Sequence, residues 1–540
     1  MTNARYQRGL NSFSLLGRAA ILVGGIAVGT GGLQGCAVTE GDVHRWSTTE
    51  RGPEKLASVV RHTKYRPELR VSAADALIRV KPRSGKRIGI DGLLSTLAEL
   101  SDTERAVVTN GLIPLLVEEM GKDRPQKNAD GTWPPDPSVP FKDAAFGLIS
   151  HEPSLVGGED GMKQKLEAAL ALWVQTDFEN RVDISSQLFG IEQVARFLGP
   201  QAVNQLPKLL DARSTKLDRI STLIADIASA ETKAKASTRL VEIARSIDSN
   251  EWLEKSGGED VKKANAKSGY KPDAASYAKQ LEMYRDQEME KLFSAMKKVG
   301  GHDAALFATG FAADATKPAN RRKAALASLE GHGSELHASE SEKIFNVAKD
   351  DSTPDDVRDL AFARLGELKK TDVEKKLYSL FDNKRWKIRW VSAQVLLRSL
   401  DPAQIETFLS HLPPSAATTM GMSEAFTYGD LIRKLEAKGS IAASAVKPID
   451  VLKAHLAPGP ASGMGARLTA IGAFYEGRKA DIGLVEPFKA DHTPVSKCKD
   501  EDECGWVCDF PPDDPKSQPK VIATIGDFVT FCVIPSMRSN

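Results

Sequence analysis

One helical frame recurs along this chain and limits what it can fold into. Arg70 is followed by Ala73 and Leu77, Arg322 by Ala325 and Leu329, Arg358 by Ala361 and Leu365, Arg389 by Ser392 and Leu396, and Arg467 by Ala470 and Phe474. The arginines stand 36 positions apart from 322 to 358, 31 from 358 to 389, 78 from 389 to 467 and 252 from 70 to 322, close to multiples of 36. Positions i, i+3 and i+7 share one face of a helix, where a small residue allows close approach and a larger apolar one fills the layer behind. A unit of this period cannot bury that face alone, so neighbouring units must stack. The frame predicts an array of packed helices.

Composition agrees. Aromatic residues make up only 6% of the chain, against 41% hydrophobic and 27% charged residues, which favours helices over sandwich or barrel strands. Lys plus Arg number 73 and Asp plus Glu 72, giving a net charge of +1. No global field recruits nucleic acid or an anionic surface, and no nucleic-acid partner is expected.

The frame resembles HEAT repeats, whose second helix carries a Val-Arg-x-x-Ala-x-x-Ala-Leu-Gly pattern. The match is clearest over 58–80 and 318–400 and recognisable near Arg467. The resemblance implies an α-solenoid of antiparallel helix pairs that offers a surface to other proteins. It also implies that Arg70, Arg322, Arg358, Arg389 and Arg467 pair with acidic residues of neighbouring repeats. Between 141 and 246 the frame is degenerate, although Leu166, Ala169, Leu170 and Trp173 form one helical stripe and Ile220, Leu223, Ile224 and Ile227 another. A generic helical bundle is the alternative there.

Punctuation sets the expected boundaries. The stretch 121–140 contains Trp133-Pro134-Pro135-Asp136-Pro137 and cannot be helical. It reads as an exposed loop in which Trp133 is either a contact residue or folded back on its own helices. The stretch 247–275, with Ser256-Gly257-Gly258, reads as a flexible insertion between helical arrays at 36–246 and 276–488. From 489 to 540 the pattern turns β-rich. The runs 521–525 and 528–534 flank Gly526-Asp527, a hairpin signal, and 506–510 could add a third strand. The expected fold class is mostly α, a HEAT-like solenoid with a small Cys-rich β module capping its end.

The amino-terminal segment resembles a bacterial lipoprotein signal peptide. Arg5, Arg8 and Arg18 precede an apolar stretch, and Leu33-Gln34-Gly35-Cys36 ends it. An uncleaved anchor would need about 20 predominantly apolar residues, whereas 19–38 contains six glycines. The resemblance implies cleavage after residue 35, lipid on the Cys36 thiol, and attachment to a membrane in the cell envelope. Ala37 stands where an inner-membrane retention aspartate would, so the outer membrane is the expected address. Cys498, Cys504, Cys508 and Cys532 form an even set near the other end. Two disulfides in any of three pairings suit an exported module, with zinc or free thiols as the alternatives; the spacings do not match usual zinc pairs.

Catalytic and cofactor signals are absent from the sequence. Nine histidines are scattered, and only His332 and His337 lie close together, without helical zinc spacing. There is no Gly-x-Ser-x-Gly and no phosphate-cradling loop. Neither a catalytic residue, a metal ligand nor a cofactor is assigned. Lys384 and Lys387 interleave with Trp386 and Trp390, which share a helical face; the run reads either as tryptophans stacking between repeats with exposed lysines or, with Trp133, as a candidate binding patch. The expected function is a lipid-anchored envelope scaffold or adaptor whose partners are other envelope proteins. The alternative is an exported enzyme or polysaccharide binder with its site in 121–140 or in the carboxy-terminal module.

Overall fold

A computed structural model describes residues 38–83, 86–157, 161–398, 400–414, 420–435, 446–459, 462–495 and 522–539. These residues are mostly helical and contain no strand element, only three isolated β-bridges. The chain divides into two compact units, Met1–Val108 and Thr109–Asn540. No described helix is long and apolar enough to cross a membrane.

In the first unit the helix Gly52–Arg61 packs on Pro67–Arg79, and both pack on Ile88–Glu99. Leu56, Val60, Ala73, Leu77, Leu93 and Leu97 are fully buried between them. Arg70 lies in this core, 4% exposed. Its Nε donates to the Val60 carbonyl at 2.8 Å, a group in the last turn of the preceding helix that has no partner inside its own helix.

The second unit carries the same arrangement many times over. From residue 302 to 472, first-layer helices His302–Ala313, Ala338–Lys349, Lys370–Tyr378, Ile405–His411 and Pro448–Ala454 alternate with second-layer helices Ala319–Ser328, Asp355–Leu365, Trp386–Arg398, Met422–Leu435 and Met464–Gly472. Each second-layer helix packs on the next, and Ala274–Val299 packs on the first of them. The arrangement is consistent with a solenoid-like helical repeat. The last two second-layer helices meet backbone to backbone: a Cβ on Gly472 would lie 2.5 Å from the Ala425 carbonyl oxygen, and one on Gly429 would lie 2.4 Å from the Ala473 amide.

The frame arginines do something other than the expected inter-repeat pairing at three of five positions, Arg70, Arg322 and Arg358. Arg70 and Arg322 close the end of the helix before them, Arg322 Nε donating to the Ala312 carbonyl at 2.8 Å. Arg467 Nε donates at 2.8 Å to the carbonyl of Leu456, just past the end of the helix Pro448–Ala454, and the guanidinium also pairs with Asp491. Arg358 donates to the Asp350, Asp351 and Thr353 carbonyls and pairs with Asp355 in its own helix. Arg389 alone reaches the neighbouring second-layer helix, gripping Glu424 through Nε and Nη2 at 2.9 and 2.7 Å. All five are 5% exposed or less, so none is a solvated surface charge.

Two other expectations are corrected. The stretch 247–275 is not an irregular insertion. It holds helices Asn250–Trp252, Leu253–Gly257 and Gly258–Ser268, the first of which begins where Ser249 accepts from the Trp252 amide. Trp252 stacks on Tyr284 at 5.6 Å, fixing these helices to Ala274–Val299, and Ala230–Asp248 packs directly on that helix, so no break in the core falls there.

The expected β module contains no strand element where it is described, and the run from Ile525 to Ser539 is helical. Ile525–Phe528, Val529–Val533 and Ile534–Ser539 are consecutive helices opened by a Thr524–Asp527 capping box. Ile525, Phe528, Val529, Cys532 and Val533 are buried, and their 3-1-3-1 spacing is a helical stripe. That period overrides the β-branched composition that suggested strands. Only the Pro494–Thr524 bridge is extended. Cys532 is disulfide-bonded, while Cys36, Cys498, Cys504, Cys508 and the possible strand 506–510 lie outside the described residues.

Candidate functional site

Half-buried aromatic side chains lie along the second-layer helices Trp386–Arg398 and Met422–Leu435 and in the turn after Met464–Gly472. Asn383 Oδ1 accepts from the Arg385 amide at 2.9 Å just before the helix Trp386–Arg398. Trp386 and Trp390, four residues apart, then project along the same face with ring centroids 5.8 Å apart. Trp390 Nε1 donates to Thr427 Oγ1 at 3.0 Å on the next second-layer helix. Phe426, beside Thr427, meets Tyr475 at 4.1 Å and Phe528 at 5.1 Å.

The close Gly429–Gly472 crossing leaves a groove of about 320 Å³ beside these aromatics, walled by Phe426, Thr427, Gly472 and Tyr475. Its rim is charged. Asp430 accepts from Arg433 Nη2 at 2.9 Å and pairs with Lys434 at 2.5 Å, and Arg433 approaches Glu476 at 3.5 Å. At the other end Lys384 and Lys387 are exposed and form no ion pair among the described residues. On the adjacent helix, burial and the nearby Asp355 carboxylate raise the pKa of Asp359, with Arg358 and Lys387 acting against the shift. Aromatic anchors with a polar rim are the make-up of a protein-binding surface. The sequence-derived patch therefore divides: Lys384, Trp386, Lys387 and Trp390 stay together, and the helix crossings add Phe426 and Tyr475, which a linear motif could not reveal.

Trp133 is held elsewhere. The stretch 121–138 is irregular as expected, but it turns back on itself: the Arg124 guanidinium lies 4.1 Å from the Trp133 ring centre and donates to Asp177 at 3.0 Å. Beside it is a cavity of about 720 Å³ lined by Val117, Met162, Leu172, Trp173 and Arg124 among others.

Behind this cavity lies a buried polar network that sequence reading missed. Arg181 pairs with Asp136 at 2.9 Å, both side chains 1% exposed. Ser138 Oγ donates to Asp136 at 2.6 Å and accepts from Trp173 Nε1 at 2.9 Å. Burial alone would raise the Asp136 pKa, but hydrogen bonds from Ser138 and the charge of Arg181 bring it below its ordinary value. Lys142 and Asp143, both fully buried, pair at 2.6 Å, and Asp143 accepts from the Leu188 and Phe189 amides. The signal was a Lys-Asp pair inside an otherwise apolar run, 139–149.

No group of three or more His, Cys, Asp or Glu side chains among the described residues is placed to hold a metal ion. No protein-family model matches the chain, and no curated protein matches it significantly.

Proposed function

We propose that this protein is a lipid-anchored cell-envelope scaffold or adaptor that binds other envelope proteins through the second-layer face between Trp386 and Glu476. The observation that carries this reading is the aromatic set Trp386, Trp390, Phe426 and Tyr475, on two successive second-layer helices and the turn after the third, beside the exposed Lys384 and Lys387. HEAT-like geometry supplies the rigid surface, Cys36 carries the lipid, and disulfides among Cys498, Cys504, Cys508 and Cys532 secure the carboxy-terminal end.

Cross-linking of the intact protein in its own envelope, followed by purification, tests the reading. A specific partner should be recovered with the natural sequence and lost with Trp386→Ala plus Trp390→Ala, at an unchanged melting temperature. Equal recovery from both would reject this face. Cys36→Ser should release the protein from membranes and abolish acyl labelling. The alternative, a polysaccharide or substrate site at 121–140, draws support from the cavity beside Trp133 and predicts instead that Trp133→Ala removes binding.

A further inference from the structure

The fold assembles a three-residue hydrogen-bond chain that no linear motif announces. Ser462 Oγ lies 3.1 Å from His455 Nδ1, and His455 Nε2 lies 2.9 Å from Glu406 Oε2 on the helix Ile405–His411. His455 is 4% exposed, whereas Ser462 is half-buried. The chain has a direction. An ionised carboxylate only accepts, so Nε2 carries the hydrogen and the Nδ1 lone pair accepts from the serine. Other hydroxyls here donate to carbonyls, such as Ser221 to Leu217 and Ser328 to Ala325. At Ser462 the acceptor is a base, and a third group orients that base.

The backbone supplies a further element. Ser462 precedes the helix Met464–Gly472, whose amino-terminal dipole favours negative charge. The Met464 and Gly465 amides are taken by the Pro414 and Pro413 carbonyls at 3.1 and 2.8 Å. Among the described residues the Gly463 amide, next after the serine, has no acceptor, and the amide after a nucleophile is a usual oxyanion donor.

We propose that Ser462 is an acyl-accepting nucleophile, that His455 is its general base, that Glu406 positions the imidazole, and that the protein hydrolyses small carboxylic esters. Ser462 Oγ bonds to the ester carbonyl carbon as its proton passes to His455 Nδ1. The tetrahedral oxyanion is stabilised at the Gly463 amide. The bond to the alcohol oxygen then breaks, and His455 returns the proton to the departing alkoxide. Water adds to the acyl-serine, giving a proton to Nδ1; the carboxylic acid leaves and Ser462 regains its hydrogen. The half-buried position of Ser462 limits the proposal to a small acyl group such as acetyl.

The test uses the full chain with a fluorophosphonate probe and p-nitrophenyl acetate. Labelling should map to Ser462, be lost in Ser462→Ala, and be slowed about 10²–10⁴-fold in His455→Asn, the usual contribution of a general base. His455 is buried and that variant can fail to fold, so Glu406 provides the second arm. Its side chain is 62% exposed, and Glu406→Gln should keep the melting temperature while slowing acylation at least tenfold, with Glu406→Asp restoring it. Labelling of Ser462 no faster than in urea-unfolded protein would overturn the proposal, and so would indifference to Glu406→Gln.

Discussion

The stretch from 302 to 472 and the stretch from 136 to 190 both bury arginine, but they do so for different ends. In the later stretch Arg322 closes the helix just before it, and Arg358 and Arg467 fasten carbonyls of the connection that follows the preceding helix. In the earlier stretch Arg181 reaches back to Asp136 across 45 residues of sequence, and Lys142–Asp143 fixes the backbone near 188. Local closure produces a repeat that can be read from spacing. Long-range ion pairs hold irregular connections that follow no period. The contrast shows that an array of this kind can interrupt its own rule where loops must be pinned.

The largest effect should come from the earlier stretch. Arg181→Met strands Asp136 in the core and should cost about 3–5 kcal/mol, the penalty for breaking one side of a buried pair, read as a lowered urea midpoint. The Asp136 pKa is below its unfolded value, so its stabilisation is present above about pH 4 and is lost as pH falls through the folded value. Asp136→Asn should remove that part of the acid sensitivity. Identical acid unfolding curves would show that the pair contributes nothing.

Within the later stretch, Arg389→Met abandons the buried Glu424 and should also cost about 3–5 kcal/mol. Arg322→Met leaves only a carbonyl unpaired and should cost about 1–3 kcal/mol. Equal losses would erase the distinction between ion-pair and carbonyl closure. Next in size, Gly472→Ala forces a Cβ against the Ala425 carbonyl and should cost about 1–3 kcal/mol, whereas Gly310→Ala, with open space around it, should stabilise by about 0.4–1 kcal/mol. Smallest of all, Lys384→Ala with Lys387→Ala should move stability by less than about 0.5 kcal/mol while weakening partner recovery. A large loss of stability would recast these lysines as structural.

The helical layers were legible because one short frame reports local packing. Arg, Ala and Leu at i, i+3 and i+7 reveal a second-layer helix without any knowledge of its neighbours. The carboxy-terminal helices misled because Val529, Thr530 and Val533 carry strand propensity, while the stripe from Ile525 to Val533 carries a helical period; burial decided in favour of the period. The candidate surface was half legible. Trp386 and Trp390 lie on one turn, but Phe426 and Tyr475 join them only through the Gly429–Gly472 crossing. Ser462, His455 and Glu406 were invisible for the same reason, since 49 residues separate the acid from the imidazole.

The arginine-to-carbonyl closures at Arg70, Arg322 and Arg467 span only 10 or 11 residues. A helix pair so fastened completes its own seam before the next pair exists, which keeps contact order low and assembly fast. A chain emerging from one end of a pore could thus take shape link by link, each finished pair offering its neighbour a template instead of waiting for the whole.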